Sequence, residues 1–388
     1  MADAPEVSRR SGVAPFIAMD VMRDATALES AGGNRIMHLE VGQPSTQAPQ
    51  AVRDAAARAL EADRLGYTDA LGLLSLRQRI ARHYGDAHGV DIAPERVVVT
   101  AGSSGGFILA FLACFDAGAR VAISEPGYPA YRNILLALGL TPVGIPVGPE
   151  TRWSLTPDLI DEAERRHGRI AGVLVASPAN PTGTMMTPAA LAELSKACEA
   201  QGRWFISDEI YHGIVFGAET ATALSSSADA IVINSFSKYY CMTGWRLGWM
   251  VVPERLVRPL ERLAQNLFIA PSSVAQAAGA AAFDATQELD ANVARYAANR
   301  ELLLTELPKA GFDSFAPADG AFYLYADVRK LTNDSAEFCH RMLHEAGVAA
   351  TPGLDFDPER GRQSIRLSFA GSTADMQEAV ERLKRWLA

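Results

Sequence analysis

With 388 residues and a 48% hydrophobic composition, the chain is too long for one small domain and has apolar surface for more than one core. A formal charge of −9 with no run of five or more Lys or Arg argues against a nucleic-acid partner. The densest apolar run, FILAFLACF, is far short of the roughly 20 residues a membrane helix needs. No signal-peptide pattern follows the arginines of MADAPEVSRRSGVAPF, so a cytoplasmic protein is expected. Cys114, Cys198, Cys241 and Cys339 are scattered without a Cys-x-x-Cys pair, which predicts reduced thiols rather than a disulfide framework or a structural zinc site.

From about residue 50 the pattern alternates between helix and strand, as βαβ units around a mostly parallel sheet require. PQAVRDAAARALEAD and LLSLRQRIARHYGDAHG place apolar residues three and four apart, the spacing of amphipathic helices. RVVVT, RVAIS, IAGVLVAS, RWFISD, AIVINS and RLGWMVV are short β-rich runs, mostly without polar alternation, as strands covered on both faces need. The expected fold is α/β, with a large domain built on a sheet of about seven strands, mostly parallel and flanked by helices. After LERLAQNLF a long helical stretch runs from about Asp284 to Pro308, then short strands AFYLYADV and SIRLSFA, then the amphipathic TADMQEAVERLKRWLA. A smaller α+β domain over 285–388, completed by the N-terminal segment 1–44, is therefore expected beside a large domain over 45–284.

Lysine is rare in this chain: of 36 basic residues only Lys196, Lys238, Lys309, Lys330 and Lys384 are lysines. Four of them sit in amphipathic or strand-end positions that read as solvated surface. Lys238 differs, because it follows the buried-strand pattern AIVINS and precedes the apolar text YYCMTGWRLGW. Burial disfavours the ammonium form and frees a nucleophilic amine. A lysine paired with a carboxylate at a strand end would look the same at this point.

Four more segments fall at ends of predicted strands, where doubly wound sheets bind ligands. AGSSGG follows RVVVT and opens a helix, so Ser103, Ser104 and helix-start amides can hold a phosphate dianion. It matches neither the dinucleotide fingerprint nor a Walker loop. SPANPTG supplies Asn180 in a rigid polar turn, SDEIYHG puts Asp208 at a strand end with Tyr211 three residues on, and SFSKYYCMTGWR groups Ser235, Ser237, Lys238 and Arg246.

With PANPTG, SDEIY and SFSK followed by TGWRLG, the chain resembles the class I/II aminotransferases of the fold-type-I pyridoxal-phosphate superfamily, over about Leu39 to Phe369. The resemblance implies that Lys238 carries pyridoxal 5'-phosphate as a Schiff base and shuttles a proton during amino-group transfer from an amino acid to a 2-oxo acid. It implies that Asp208 pairs with the pyridinium nitrogen, and that Asn180 and Tyr211 bond the phenolate oxygen. Ser103, Ser104, Ser235, Ser237 and Arg246 then take the phosphate, and Tyr128 in EPGYPAY stacks on the ring. Arg366 in SIRLSFA would receive the substrate α-carboxylate as a planar fork, with Asn180 and the backbone of Gly42 beside it. Tyr67 in LGYTDALGLLSLR resembles a tyrosine that reaches the neighbouring subunit's phosphate, which implies a homodimer with shared sites.

His340 and His344, four apart on a predicted helix, lack a third ligand and read as a solvated face, so no metal is expected. Cys241 reads as packing. A carbon–sulfur β-lyase is the alternative enzyme, since lyases of this superfamily keep the same cofactor residues. An aminotransferase-like regulator needs an N-terminal helix-turn-helix module, for which the 40 or so residues before Gly42 leave no room. Some aspartate-specific members carry a lysine in the loop that here reads AGSSGG, and its absence at Ser104 points to a neutral or aromatic donor, with 2-oxoglutarate or pyruvate as acceptor.

Overall fold

A computed structural model describes residues 5–32 and 35–388. Twelve strands follow in chain order: β1 (Met37–His38), β2 (Val97–Thr100), β3 (Arg120–Glu125), β4 (Thr141–Pro146), β5 (Ile170–Ala176), β6 (Trp204–Asp208), β7 (Ile231–Ser235), β8 (Gly248–Val251), β9 (Tyr323–Asp327), β10 (Val348–Ala349), β11 (Thr351–Pro352) and β12 (Ser364–Ser368).

Seven of them form one sheet in the order β2-β8-β7-β6-β5-β3-β4, parallel throughout except for β8, which runs antiparallel to β2 and β7. The buried strand residues alternate between two apolar clusters, as side chains of period two on a pleated strand must. Val97, Val99, Ala122, Val173 and Val232 enter one cluster. Val98, Val121, Ile123, Leu174 and Ile233 enter the other. Both faces are therefore dry, and helices cover them, including Gln50–Ala62 and Leu74–His88, found within a residue of the amphipathic patterns.

Sequence patterning does not mark β4. Its text, TPVGIP, holds two prolines and a glycine, and it lies at the sheet edge beside β3, where a missing N–H does not break an inner ladder.

A third apolar cluster joins the helices Thr286–Glu306 and Thr373–Leu387 to the three-stranded antiparallel sheet β11-β12-β9. The N-terminal segment packs there too, with β1 pairing parallel to β10. The helix Ile17–Ser30 is anchored at its start, where the N–H groups of Ile17 and Ala18 donate to the Asp355 carboxylate at 3.1 and 3.2 Å. No helix of the described residues is long and apolar enough to cross a membrane.

Candidate active site

The carboxyl ends of β2, β6 and β7 open into a cavity of about 230 Å³ that also meets β12 and the N-terminal helix. Lys238 lies at its centre, in the turn after β7. Its Nζ donates to the Gly42 carbonyl at 2.5 Å and lies 5.9 and 5.8 Å from the ring centres of Tyr211 and Phe322. Burial, with repulsion from the Arg366 and Arg246 guanidiniums, holds its ammonium down to about 8. A substantial neutral amine fraction at mildly alkaline pH follows.

Asp208 ends β6 and is 3% exposed. Burial lifts its carboxyl to about 6, opposed by the Tyr131 hydroxyl, which donates to Oδ2, by the Ile210 N–H, which donates to Oδ1 at 3.0 Å, and by the Lys238 charge. Above that pH it is a buried anion facing Lys238.

A cationic corner forms opposite. Ser103 and Ser104 occupy the first turn of the helix Gly102–Cys114, whose N-terminal N–H groups favour an anion. Arg246 lies against that turn: a Cβ on Gly102, which has φ +69°, would come within 2.5 Å of Arg246 Nη2. Only glycine lets the backbone and the guanidinium approach so closely. Ser237 and Thr243 line the same corner. Ser235 does not reach the cavity: its hydroxyl contacts Ser237 Oγ at 2.9 Å and the Leu247 carbonyl at 3.1 Å, and it orders the turn that carries Ser237.

Arg366, in β12, is 2% exposed. Nη1 donates to Asn180 Oδ1 at 2.9 Å, and Nη2 donates to the Glu40 carbonyl and to Thr351 Oγ1 at 3.2 Å. The guanidinium lies 4.4 and 4.8 Å from the rings of Tyr323 and Phe356, and its Nε has no partner. Among the described residues no carboxylate lies within ion-pairing distance of it, and a buried unpaired cation is a receptor for an anion. Asn180, with its oxygen engaged by Arg366, keeps its amide N–H groups as donors. Tyr211 Oη shares a 2.7 Å hydrogen bond with Tyr323 Oη, and a Cβ on Gly42 would overlap that Tyr323 hydroxyl at 1.7 Å. Gly42 therefore has to be glycine for the chain to pass this close to Tyr323 and Lys238.

Tyr128 lines the cavity just before the helix Pro129–Ala137, its ring edge-on to Phe16 and Tyr131 at 5.7 and 5.2 Å. Tyr67 lies outside this cavity and is 86% exposed. His340, in the helix Ser335–Arg341, and His344, in the π-helical turn Met342–Ala346 that follows it, have ring centres 4.2 Å apart. Of the four tyrosines that line the cavity, Tyr131 and Tyr323 are absent from the sequence expectations. Tyr131 carried a signal, lying three residues after Tyr128 across a helix-starting Pro129, so both rings share a face. Tyr323 carried none, since its role depends on β9 meeting the β6 end.

An amine of lowered basicity, a buried carboxylate, an anion corner and an aromatic wall fit pyridoxal phosphate, whose pyridine nitrogen, phosphate and aldehyde need those partners. Fold and site together define a pyridoxal-phosphate enzyme that transfers amino groups. Residues 34–383 match the family described as aminotransferase class I and II, and the chain belongs to it. It is 51% identical to the valine–pyruvate aminotransferase of Mycobacterium tuberculosis over 385 residues, covering 98% of each chain. A solved aminotransferase structure from Mycobacterium tuberculosis superposes with a TM-score of 0.96 at 50% identity, over 99% of both chains. The aspartate aminotransferase of Thermus thermophilus shares the fold with a TM-score of 0.92 at 28% identity, over 98% of this chain and all of that one.

Proposed function

We propose that this aminotransferase takes a neutral aliphatic amino acid, valine in particular, as donor and pyruvate as acceptor. One observation carries the reading: the cavity holds three cations, and each has a task. Lys238 is the attachment point, Arg246 belongs to the anion corner and Arg366 takes the α-carboxylate. Among the described residues no fourth cation lines the cavity to receive a second carboxylate, and a buried carboxylate without a partner is costly. Phe16, Ala18, Met19, Val41 and Ile210 supply an apolar wall instead. The same wall disfavours 2-oxoglutarate as acceptor and suits the methyl group of pyruvate. The name of the 51% identical relative supports both halves.

Pyridoxal phosphate, when bound, draws electrons from the substrate α-carbon so that its proton becomes removable. Asp208, as an anion, holds the pyridine nitrogen protonated. Ser103, Ser104, Ser237 and Arg246 fix the phosphate, with Ser235 ordering Ser237. Asn180 and Tyr211 donate to the phenolate oxygen, and Tyr128 covers the ring. Arg366, backed by Gly42 and Asn180, would orient the α-carboxylate with the α-hydrogen toward Lys238 Nζ, which as a neutral amine would take the proton from the α-carbon and as an ammonium would pass it to the cofactor's C4′ carbon.

The site is completed across a homodimer. Exposed Leu60, Tyr67, Leu267 and Ile269 support this, and Ser273 Oγ donates to the Leu65 carbonyl at 3.3 Å, which sets the Tyr67 loop beside the Leu267–Ile269 turn. Tyr67 then reaches the phosphate of the partner's site. Four free cysteines fit a reducing compartment, and the cytoplasm is the proposed location.

A single-turnover screen of the loaded enzyme against common amino acids, followed by absorbance, tests the donor assignment. Valine and alanine are expected to react far better than aspartate and glutamate. A hundredfold preference for the dicarboxylates, about 2.7 kcal/mol of discrimination, overturns it.

A further inference from the structure

We propose that Tyr131 is a positioning residue for Asp208, holding one carboxylate oxygen by its hydroxyl so that the other faces the cofactor nitrogen as an anion. The inference rests on Asp208 as the partner of that nitrogen and adds a residue absent from the sequence expectations.

The geometry leaves Tyr131 one use for its proton. The side chain is 5% exposed, and its hydroxyl donates to Asp208 Oδ2. Its ring is wedged edge-on between Phe107 at 5.1 Å and Tyr128 at 5.2 Å, so it is fixed from two sides. Burial and the neighbouring Asp208 charge push its hydroxyl well above the usual tyrosine range, so it stays a neutral donor throughout the working range. The Ile210 N–H on Oδ1 holds the second oxygen in the strand-end turn. Without Tyr131, burial acts on Asp208 with less opposition, and the carboxyl protonates at a higher pH.

The ionisable groups facing Asp208 come from three elements. Lys238 faces it from the turn after β7, and Tyr128 and Tyr131 from the helix Pro129–Ala137 and its cap. Glu209 adjoins it on its own strand end, but its carboxylate accepts from Ser207 Oγ at 3.1 Å, Thr222 Oγ1 at 3.1 Å and the Ala223 N–H at 2.8 Å. Those contacts turn the Glu209 carboxylate away to a separate network.

Non-covalent binding of pyridoxal phosphate to full-length Lys238→Ala protein, titrated by fluorescence across pH, removes the Lys238 titration and reads Asp208 through affinity. Adding Tyr131→Phe is expected to move the acid-side midpoint up by about one pH unit, and so to raise the dissociation constant about tenfold well below both midpoints and by less than about twofold at pH 7.5. Both effects should vanish when Asp208→Asn is also present. Tyr131→3-fluorotyrosine, which keeps the shape and has a more acidic hydroxyl, should move the midpoint down, and it serves if the Phe protein does not fold. The inference is overturned if Tyr131→Phe changes neither constant nor midpoint while Asp208→Asn weakens binding, a result that leaves the site reading standing. It is also overturned if Tyr131→Phe acts equally with Asp208→Asn present, because packing then explains the loss. If Asp208→Asn itself leaves affinity unchanged, the reading of Asp208 fails and the inference with it.

Discussion

Replacing Arg366 by Lys keeps a positive charge in β12 but removes the planar fork, and so separates charge from geometry. In the folded chain the guanidinium is held by Asn180 Oδ1, Thr351 Oγ1 and the Glu40 carbonyl, and lies between the Tyr323 and Phe356 rings. An ammonium there satisfies fewer of these acceptors and meets the α-carboxylate through one hydrogen bond instead of two. Losing one charge-assisted bond costs about 1.5–3 kcal/mol, which lowers kcat/KM for valine about tenfold to a hundredfold. Because the contact exists in both the bound and the reacting substrate, most of the loss falls on KM. Steady-state kinetics with valine and pyruvate measure it, and the cofactor absorbance and a thermal melt check that the site stays loaded and folded. A loaded, folded Arg366→Lys enzyme with kcat/KM within about threefold of the parent refutes the assignment of Arg366 to the α-carboxylate.

Two further outcomes follow from the same geometry. Lys238 titrates near 8 in the folded chain against 10.5 ordinarily, so between these values the unfolded state holds the extra proton, and the cofactor-free protein gains stability as pH rises. The penalty of the buried ammonium is complete below 8 and gone above 10.5; comparing melts of the parent with Lys238→Met from pH 7 to 9.5, the gap should move in the parent's favour, and a constant gap contradicts the buried amine. In the proposed dimer, mixing Tyr67→Ala with Lys238→Ala subunits should restore one intact site per heterodimer, whereas a monomer by light scattering or no recovery of activity excludes the shared site.

Much of this site was legible because its residues stand at strand ends, where a buried β-rich run followed by small or polar residues marks an opening. Asp208 after RWFI, Lys238 after AIVINS and Asn180 after IAGVLVAS are of this kind. The edge strand β4 was not legible, since TPVGIP carries the residues that punctuate turns. Nor was the support around Arg366: the Glu40 carbonyl and Thr351 become neighbours only when the N-terminal segment lies along β10 and β11. Contacts of that range leave no periodicity in the chain. Ser235, a motif residue that ends β7, has its hydroxyl on Ser237 Oγ and the Leu247 carbonyl, contacts that the motif alone does not reveal.

Borohydride reduction of the loaded enzyme followed by peptide mapping shows whether Lys238 alone carries the cofactor. One labelled peptide, containing Lys238, is expected in the parent and none in Lys238→Ala. Label on Lys196, Lys309, Lys330 or Lys384, or label persisting in Lys238→Ala, contradicts it.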